Sequence, residues 1–114
     1  MKVYMIYANR TEDDILLRPE LDVLAAAHPN RFHLHYILSQ PQNKDGWLSG
    51  SDLSVTSGRS VGRVTTRLVQ QILPAGGPNT CNFALLCGPD GFMNEACTPA
   101  LLQHGYTPDS CIYF

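Results

Sequence analysis

No apolar run in this sequence approaches the roughly 20 residues that a bilayer-spanning helix needs. Its apolar start is interrupted at once by Asn9, Arg10, Glu12, Asp13 and Asp14, so neither an anchor nor a signal peptide is expected. The four cysteines, Cys81, Cys87, Cys97 and Cys111, include no CxxC pair, and no cluster of histidines stands beside them to complete a zinc site. Charge is also scarce. Asp, Glu, Lys and Arg make up 16% of the residues and leave a net charge of −2, which gives no electrostatic basis for binding DNA or RNA. There is no internal repeat, and 114 residues suffice for one domain with a single core.

What is present is an ordinary apolar share, 44%, arranged in short segments. Cys81, Cys87 and Cys111 lie in or beside apolar runs, where a free thiol commonly serves as a small buried hydrophobe, so a reducing, cytoplasmic setting is expected. Val3 to Ala8 reads as a strand ending at Asn9-Arg10-Thr11, with Thr11 and Asp14 at capping-box spacing. The acidic run Glu12-Asp13-Asp14 fits the positive end of a helix dipole. Pro19 suits the first position of a helix that carries Leu21, Leu24, Ala25 and His28 on one face and stops at Pro29-Asn30. Phe32 to Leu38 alternates as a second strand, with His33, His35 and Ile37 on its more polar face.

Gln40 to Ser60, rich in Pro, Gln, Asn, Ser and Gly, reads as a long surface loop, in which Trp47 either pins the loop to the body or shields a ligand, pinning being the preferred reading. Val61, Val64, Thr65, Leu68 and Ile72 then recur at helical spacing behind Ser60 as N-cap, up to the break at Pro74 to Pro78. A strand follows over Asn82 to Cys87. The next helix carries Met93, Ala96, Cys97, Ala100, Leu101 and His104, with a kink at Pro99 and Gly105 at C′. Cys111 to Phe114 closes the series as a last strand. The order β-α-β-α-β-α-β predicts a three-layer α/β/α domain with a mostly parallel sheet.

The turn Cys87-Gly88-Pro89 carries the clearest functional signal. It sits where a strand's carboxyl end meets a helix start, the place where open α/β sheets bind small ligands with unpaired backbone N–H groups. Gly88 permits close backbone approach and Pro89 fixes the turn, although a plain strand-to-helix connection uses the same two residues. His28, His33, His35 and His104 read as packing or surface residues, because none stands in a triad-like context.

The segment from Tyr4 to Leu21, with Asn9-Arg10-Thr11-Glu12-Asp13-Asp14 at its centre and Arg18-Pro19-Glu20 behind it, resembles NADH–cytochrome b5 reductases. Phe32 to Leu38, Gly46-Trp47, Gly62-Arg63-Val64, Cys87-Gly88-Pro89 and the closing Cys111-Ile112-Tyr113-Phe114 follow in that family's order, so the resemblance covers almost the whole chain. It implies the NAD(P)H-binding domain of a ferredoxin–NADP reductase-like flavoprotein, in which hydride passes from NAD(P)H to FAD and electrons then pass to a haem protein such as cytochrome b5. Cys87, Gly88 and Pro89 would border the nicotinamide, with Cys87 as the catalytic contact, and Phe92 and Met93 would shape the pocket wall. Asn9 and Thr11 would lie on the adenosine-pyrophosphate side, and Phe114 near the flavin face.

Three departures from the family qualify this. The Arg-x-Tyr-(Ser/Thr) signature of a flavin domain is absent, so residues 1–114 are expected to be a partial NAD(P)H-binding domain that reaches FAD only through another chain or domain and is inactive alone. The first strand of the domain and its pyrophosphate loop are also missing, since Gly76-Gly77 comes too late in the order to replace that loop. The remaining strands must then pair directly, borrow a strand, or dimerise, and a homo-oligomer is one expectation. Finally, Ser39-Gln40 stands where the family often has an acidic residue that binds the adenosine ribose and repels a 2′-phosphate, so NADPH is open beside NADH. The alternative function is a non-catalytic remnant with an interaction or regulatory role.

Overall fold

A computed structural model describes residues 1–49 and 58–114. The chain divides into two compact units, Met1–Arg63 and Val64–Phe114. In the first, β1 (Val3–Asn9) leads through a short 3-10 turn (Glu12–Asp14) to α1 (Arg18–Ala27), β2 (Phe32–Leu38), α2 (Lys44–Ser49) and β3 (Gly58–Val61). The three strands form one parallel sheet in the order β1-β2-β3, with Met5 opposite Leu34, Tyr7 opposite Tyr36 and Leu38 opposite Val61. Alternation sends Leu34, Tyr36 and Leu38 to the face that packs with Ile15, Ala25 and Trp47, joined by Met5, Tyr7 and Leu21.

α1 starts at Arg18 with Pro19 in its first turn, as the sequence predicts. Ala25 is buried, but Leu24 and His28 are exposed, so the apolar stripe is narrower than its spacing suggests. The expected loop over Gln40 to Ser60 is overturned at both ends. Asn43 Oδ1 accepts from the Gly46 N–H at 3.0 Å and starts α2, while Gly58–Val61 joins β2 as β3. Residues 50–57 of that expected loop lie outside the described residues. Trp47 does pin this segment: it is 3% exposed, and its Nε1–H donates to Ser60 O at 2.9 Å.

The second unit contains α3 (Thr66–Ile72), β4 (Ala84–Leu86), a π-helix (Phe92–Cys97), α4 (Thr98–Gln103), a 3-10 turn (Pro108–Ser110) and β5 (Cys111–Tyr113). β4 and β5 pair in parallel as a separate two-stranded sheet. The predicted N-cap Ser60 lies in β3 instead, and α3 is capped by Thr65, whose Oγ1 accepts from the Leu68 N–H at 3.2 Å. Every strand pair is parallel, as the α/β reading requires. β1 bonds only to β2 and β4 only to β5, so of the three expected ways to close the strand series, direct pairing does not occur among the described residues.

The helix after Pro89 widens to π geometry just before Pro99. In α geometry the proline ring would strike the carbonyl four residues back, and the wider turn relieves that clash. No described helix is long and apolar enough to cross a membrane.

Candidate functional site

In the first unit the parallel ladder continues past the strand ends. Ser39 N–H donates to Asn9 O at 3.0 Å, Gln40 N–H to Arg10 O at 2.8 Å and Gly62 N–H to Leu38 O at 2.8 Å. These bonds set Asn9-Arg10, Ser39-Gln40 and Gly62 side by side at the carboxyl edge of one sheet, the edge at which parallel α/β sheets receive ligands. Thr11 is held two residues beyond Asn9: its N–H and Oγ1 both donate to Asp14 Oδ2, at 3.1 and 3.0 Å. Asn9, Thr11 and Ser39 are therefore brought together at this edge.

The acidic run lies in the first turn of the 3-10 segment behind β1, where its reading as a dipole partner puts it, and it also reaches beyond that turn. Glu12 accepts from the Gln42 N–H at 2.9 Å, and Asp13 accepts from Gln42 Nε2 at 3.1 Å, so these carboxylates hold the segment that follows β2. Arg10 Nε donates to Gln40 Oε1 at 3.2 Å and ties the same two strand ends. Sequence reasoning missed these residues because their partners lie about 30 positions away. Asn9 adds the feature most suggestive of a ligand. Its Nδ2 is buried and has no hydrogen-bond partner among the described residues, and such an amide is costly unless something accepts from it.

In the second unit Cys87-Gly88-Pro89 follows directly on β4, and all three residues are exposed. Gly88 has φ +153°, and a Cβ there would stand 2.8 Å from Phe92 Cδ2, so the Phe92 ring lies against a backbone that only glycine leaves open. Pro89 O accepts from the Met93 N–H at 3.0 Å, which starts the helix. Phe114 N–H donates to Leu86 O at 2.9 Å and sets the exposed Phe114 next to the Cys87 end of β4. Met93 is buried, so of the two expected wall residues only Phe92 keeps accessible surface.

The cysteines separate by environment. Cys81 and Cys87 are exposed, against the expectation of small buried hydrophobes; Cys87 follows exposed Leu85 by two residues and so continues the outward-facing side of β4. Cys111 is buried, which pushes its thiol pKa up, and burial raises that of Cys97 to about 11. Cys87 is thus a rim thiol open to solvent. The histidines divide between the packing and surface roles expected of them: His104 Nε2 lies 2.7 Å from Leu73 O, His33 stacks on Tyr4 at 4.5 Å, and His28 is exposed.

Residues 1–98 match the family model of the oxidoreductase NAD-binding domain. The chain is 40% identical over 113 residues to the NADH nitrate reductase of Volvox carteri, covering 99% of this chain and 12% of that protein. It is 40% identical over 105 residues to NADH-cytochrome b5 reductase 2 of Xenopus laevis, covering 92% of this chain and 31% of that protein. A nitrate reductase of Hordeum vulgare named for NAD(P)H is 37% identical over 115 residues, covering 99% of this chain and 12% of that protein. The crystal structure of the cytochrome b5 reductase domain of Ulva prolifera nitrate reductase matches with a TM-score of 0.80 at 33% identity, covering 99% of this chain and 38% of that one. The chain therefore spans less than two fifths of each of these relatives.

Proposed function

The chain belongs to the oxidoreductase NAD-binding domain family, in the form found in cytochrome b5 reductases, and from that premise we propose that it is the pyridine-nucleotide-binding portion of a flavoprotein electron-transfer system. The single observation that carries this reading is the exposed Cys87-Gly88-Pro89 turn at the end of β4, with Phe92 laid against Gly88. Gly88 presents bare backbone with the Phe92 ring beside it, so a small planar ring that approached there would meet peptide and one aromatic neighbour.

Each unit, taken by itself, carries residues suited to one part of the nucleotide. On the first unit, the unpaired Asn9 amide, Thr11 and Ser39 would hold the adenosine-pyrophosphate portion. On the second, Cys87, Gly88 and Pro89 would border the nicotinamide, with Phe92 and Phe114 as apolar neighbours and Met93 supporting the turn from the interior. When bound, the reduced nucleotide supplies a hydride, two electrons and one proton, for a flavin held outside residues 1–114. Phe92 would exclude water from one side of the rim, and the neutral Ser39-Gln40 pair would leave a 2′-phosphate unrepelled, so both NADH and NADPH fit. A cytochrome b5-like haem protein would be the final acceptor in the assembled system.

The test is a titration of the purified chain with NADH and with NADPH, alone and with a separately produced flavin domain, following binding and dye reduction. Binding of at least one nucleotide is expected, with dye reduction only when the flavin domain is added. Failure to bind either nucleotide would overturn the reading in favour of an interaction domain. One observation supports that second role: Phe83, Leu85, Ile112 and Phe114 are all more than two fifths exposed, leaving one face of the β4–β5 sheet apolar and open.

A further inference from the structure

Thr98 stands at the end of the π-helix and makes two contacts that the nucleotide-binding reading does not use. Its Oγ1 donates to Met93 O at 2.8 Å, the same carbonyl that accepts from the Thr98 N–H, and it lies 2.7 Å from the Tyr113 hydroxyl. Two donors from one residue therefore converge on the carbonyl that opens the π-turn. The remaining hydroxyl contact reaches β5, the strand whose next residue is Phe114.

These contacts link both flanks of the rim. Phe92 precedes Met93 and lies against Gly88, so the π-turn sets the position of the Phe92 ring. Tyr113 pairs in register with Leu86, and Phe114 N–H bonds to Leu86 O, so β5 sets what stands beside Cys87. A π-turn is a strained insertion that recurs at functional sites, and it persists only where the surrounding bonds fix it. A proline at position 99 favours the widened turn but cannot itself hold it, because it has no N–H to donate. The Thr98 hydroxyl adds a second restraint to the one that the Thr98 N–H makes on Met93 O.

We propose that the Thr98–Tyr113 hydroxyl pair is a positioning device for the Cys87-Gly88-Pro89 rim: it locks the π-turn that lays Phe92 on Gly88 to the C-terminal strand that brings Phe114 beside Cys87. Neither hydroxyl contacts the rim directly, so both residues act through Phe92 and Phe114. The role of the rim in binding nicotinamide rests on the function proposed above. The coupling between Thr98, Tyr113 and the geometry of the rim does not.

The experiment compares the wild-type chain with Thr98→Val, Tyr113→Phe, the double variant and Thr98→Ser. The first readout is the alkylation rate of Cys87 by iodoacetamide without nucleotide, followed by mass spectrometry of the Cys87 peptide, with exposed Cys81 as the internal control. Loss of either hydroxyl is expected to change the Cys87 rate about fivefold, a factor within the range of one lost hydrogen bond, while the Cys81 rate stays constant. The double variant should change it no further than Thr98→Val alone, since that substitution already removes the contact with the Tyr113 hydroxyl together with the bond to Met93 O. Thr98→Ser should restore the wild-type rate. The second readout is the NADH dissociation constant, expected to rise by a similar factor in Thr98→Val and Tyr113→Phe and to recover in Thr98→Ser. An unchanged Cys87 rate in all variants, or a change that the serine does not rescue, overturns the positioning role. A wild-type chain that binds no nucleotide while the Cys87 rates respond as described overturns the proposed function and leaves the positioning role standing.

Discussion

Protonating His35 adds a second ring N–H in a place that offers one hydroxyl partner, Ser60 Oγ at 2.8 Å from Nε2. Nδ1 faces the Gly58 backbone so closely that a Cβ there would stand 2.6 Å away. Burial accordingly lowers the His35 pKa from its ordinary 6.5. Between the lowered folded value and 6.5 the unfolded chain carries a proton that the native chain does not, so stability is complete above 6.5 and declines as pH falls through this window. Thermal melts from pH 7.5 to pH 5 should show that decline, and His35→Gln should flatten it. A variant profile parallel to wild type would rule out His35 as its source. The sequence marked His35 as a packing residue, but its hydrogen bond lies on β3, 25 positions away, and no local pattern announces such a partner. The same applies at Trp47. Its pinning role was legible from an aromatic inside a polar stretch, whereas the guanidinium of Arg59, 4.8 Å from its ring centroid, was not.

Within β4, adjacent leucines take opposite environments because successive strand side chains point to opposite faces. Leu86 is 5% exposed and Leu85 is 68% exposed. Leu86→Ala should destabilise the chain by about 2–5 kcal/mol, as core truncations do, while Leu85→Ala should stay within about 0.5 kcal/mol. Urea denaturation of the two variants checks this, and equal losses would show that the outer face is packed in solution. Element boundaries were readable where the signal is local: Pro19 for α1, the Thr11–Asp14 spacing for the first turn, and Gly105 behind α4 at φ +99°, where a side chain would also meet Gly76 O at 2.5 Å. They were not readable where pairing decides. Gly58–Val61 is short and carries Gly, Arg and Ser, so only its hydrogen bonds to the long, apolar β2 make it a strand. The π-turn was equally hidden, since Pro99 predicts a disturbed helix but not which hydroxyl will stabilise the disturbance.

For the molecule as a whole, the proposed nucleotide binding has a thermodynamic consequence, because a ligand that binds only the native state stabilises it. At a hundredfold excess over Kd, NADH should add about 2.7 kcal/mol and raise Tm by roughly 10 °C. A scanning-fluorimetry series with NADH, NADPH and adenosine as control checks this, and shifts no larger than those with adenosine would count against nicotinamide engagement. The sequence by itself determined the parallel α/β class, the positions of β1, β2, β4 and β5, and the Cys87-Gly88-Pro89 turn, because periodicity, capping and glycine-proline chemistry act over a few neighbouring residues. Tertiary structure alone decided that the strands form two sheets, that Gly58–Val61 joins the first, that Cys81 and Cys87 face solvent while Cys111 does not, and that Asn9 keeps a buried amide without a partner among the described residues. Each of these depends on groups that meet only when distant segments pack, and burial and pairing of that kind leave no mark on the order of residues nearby.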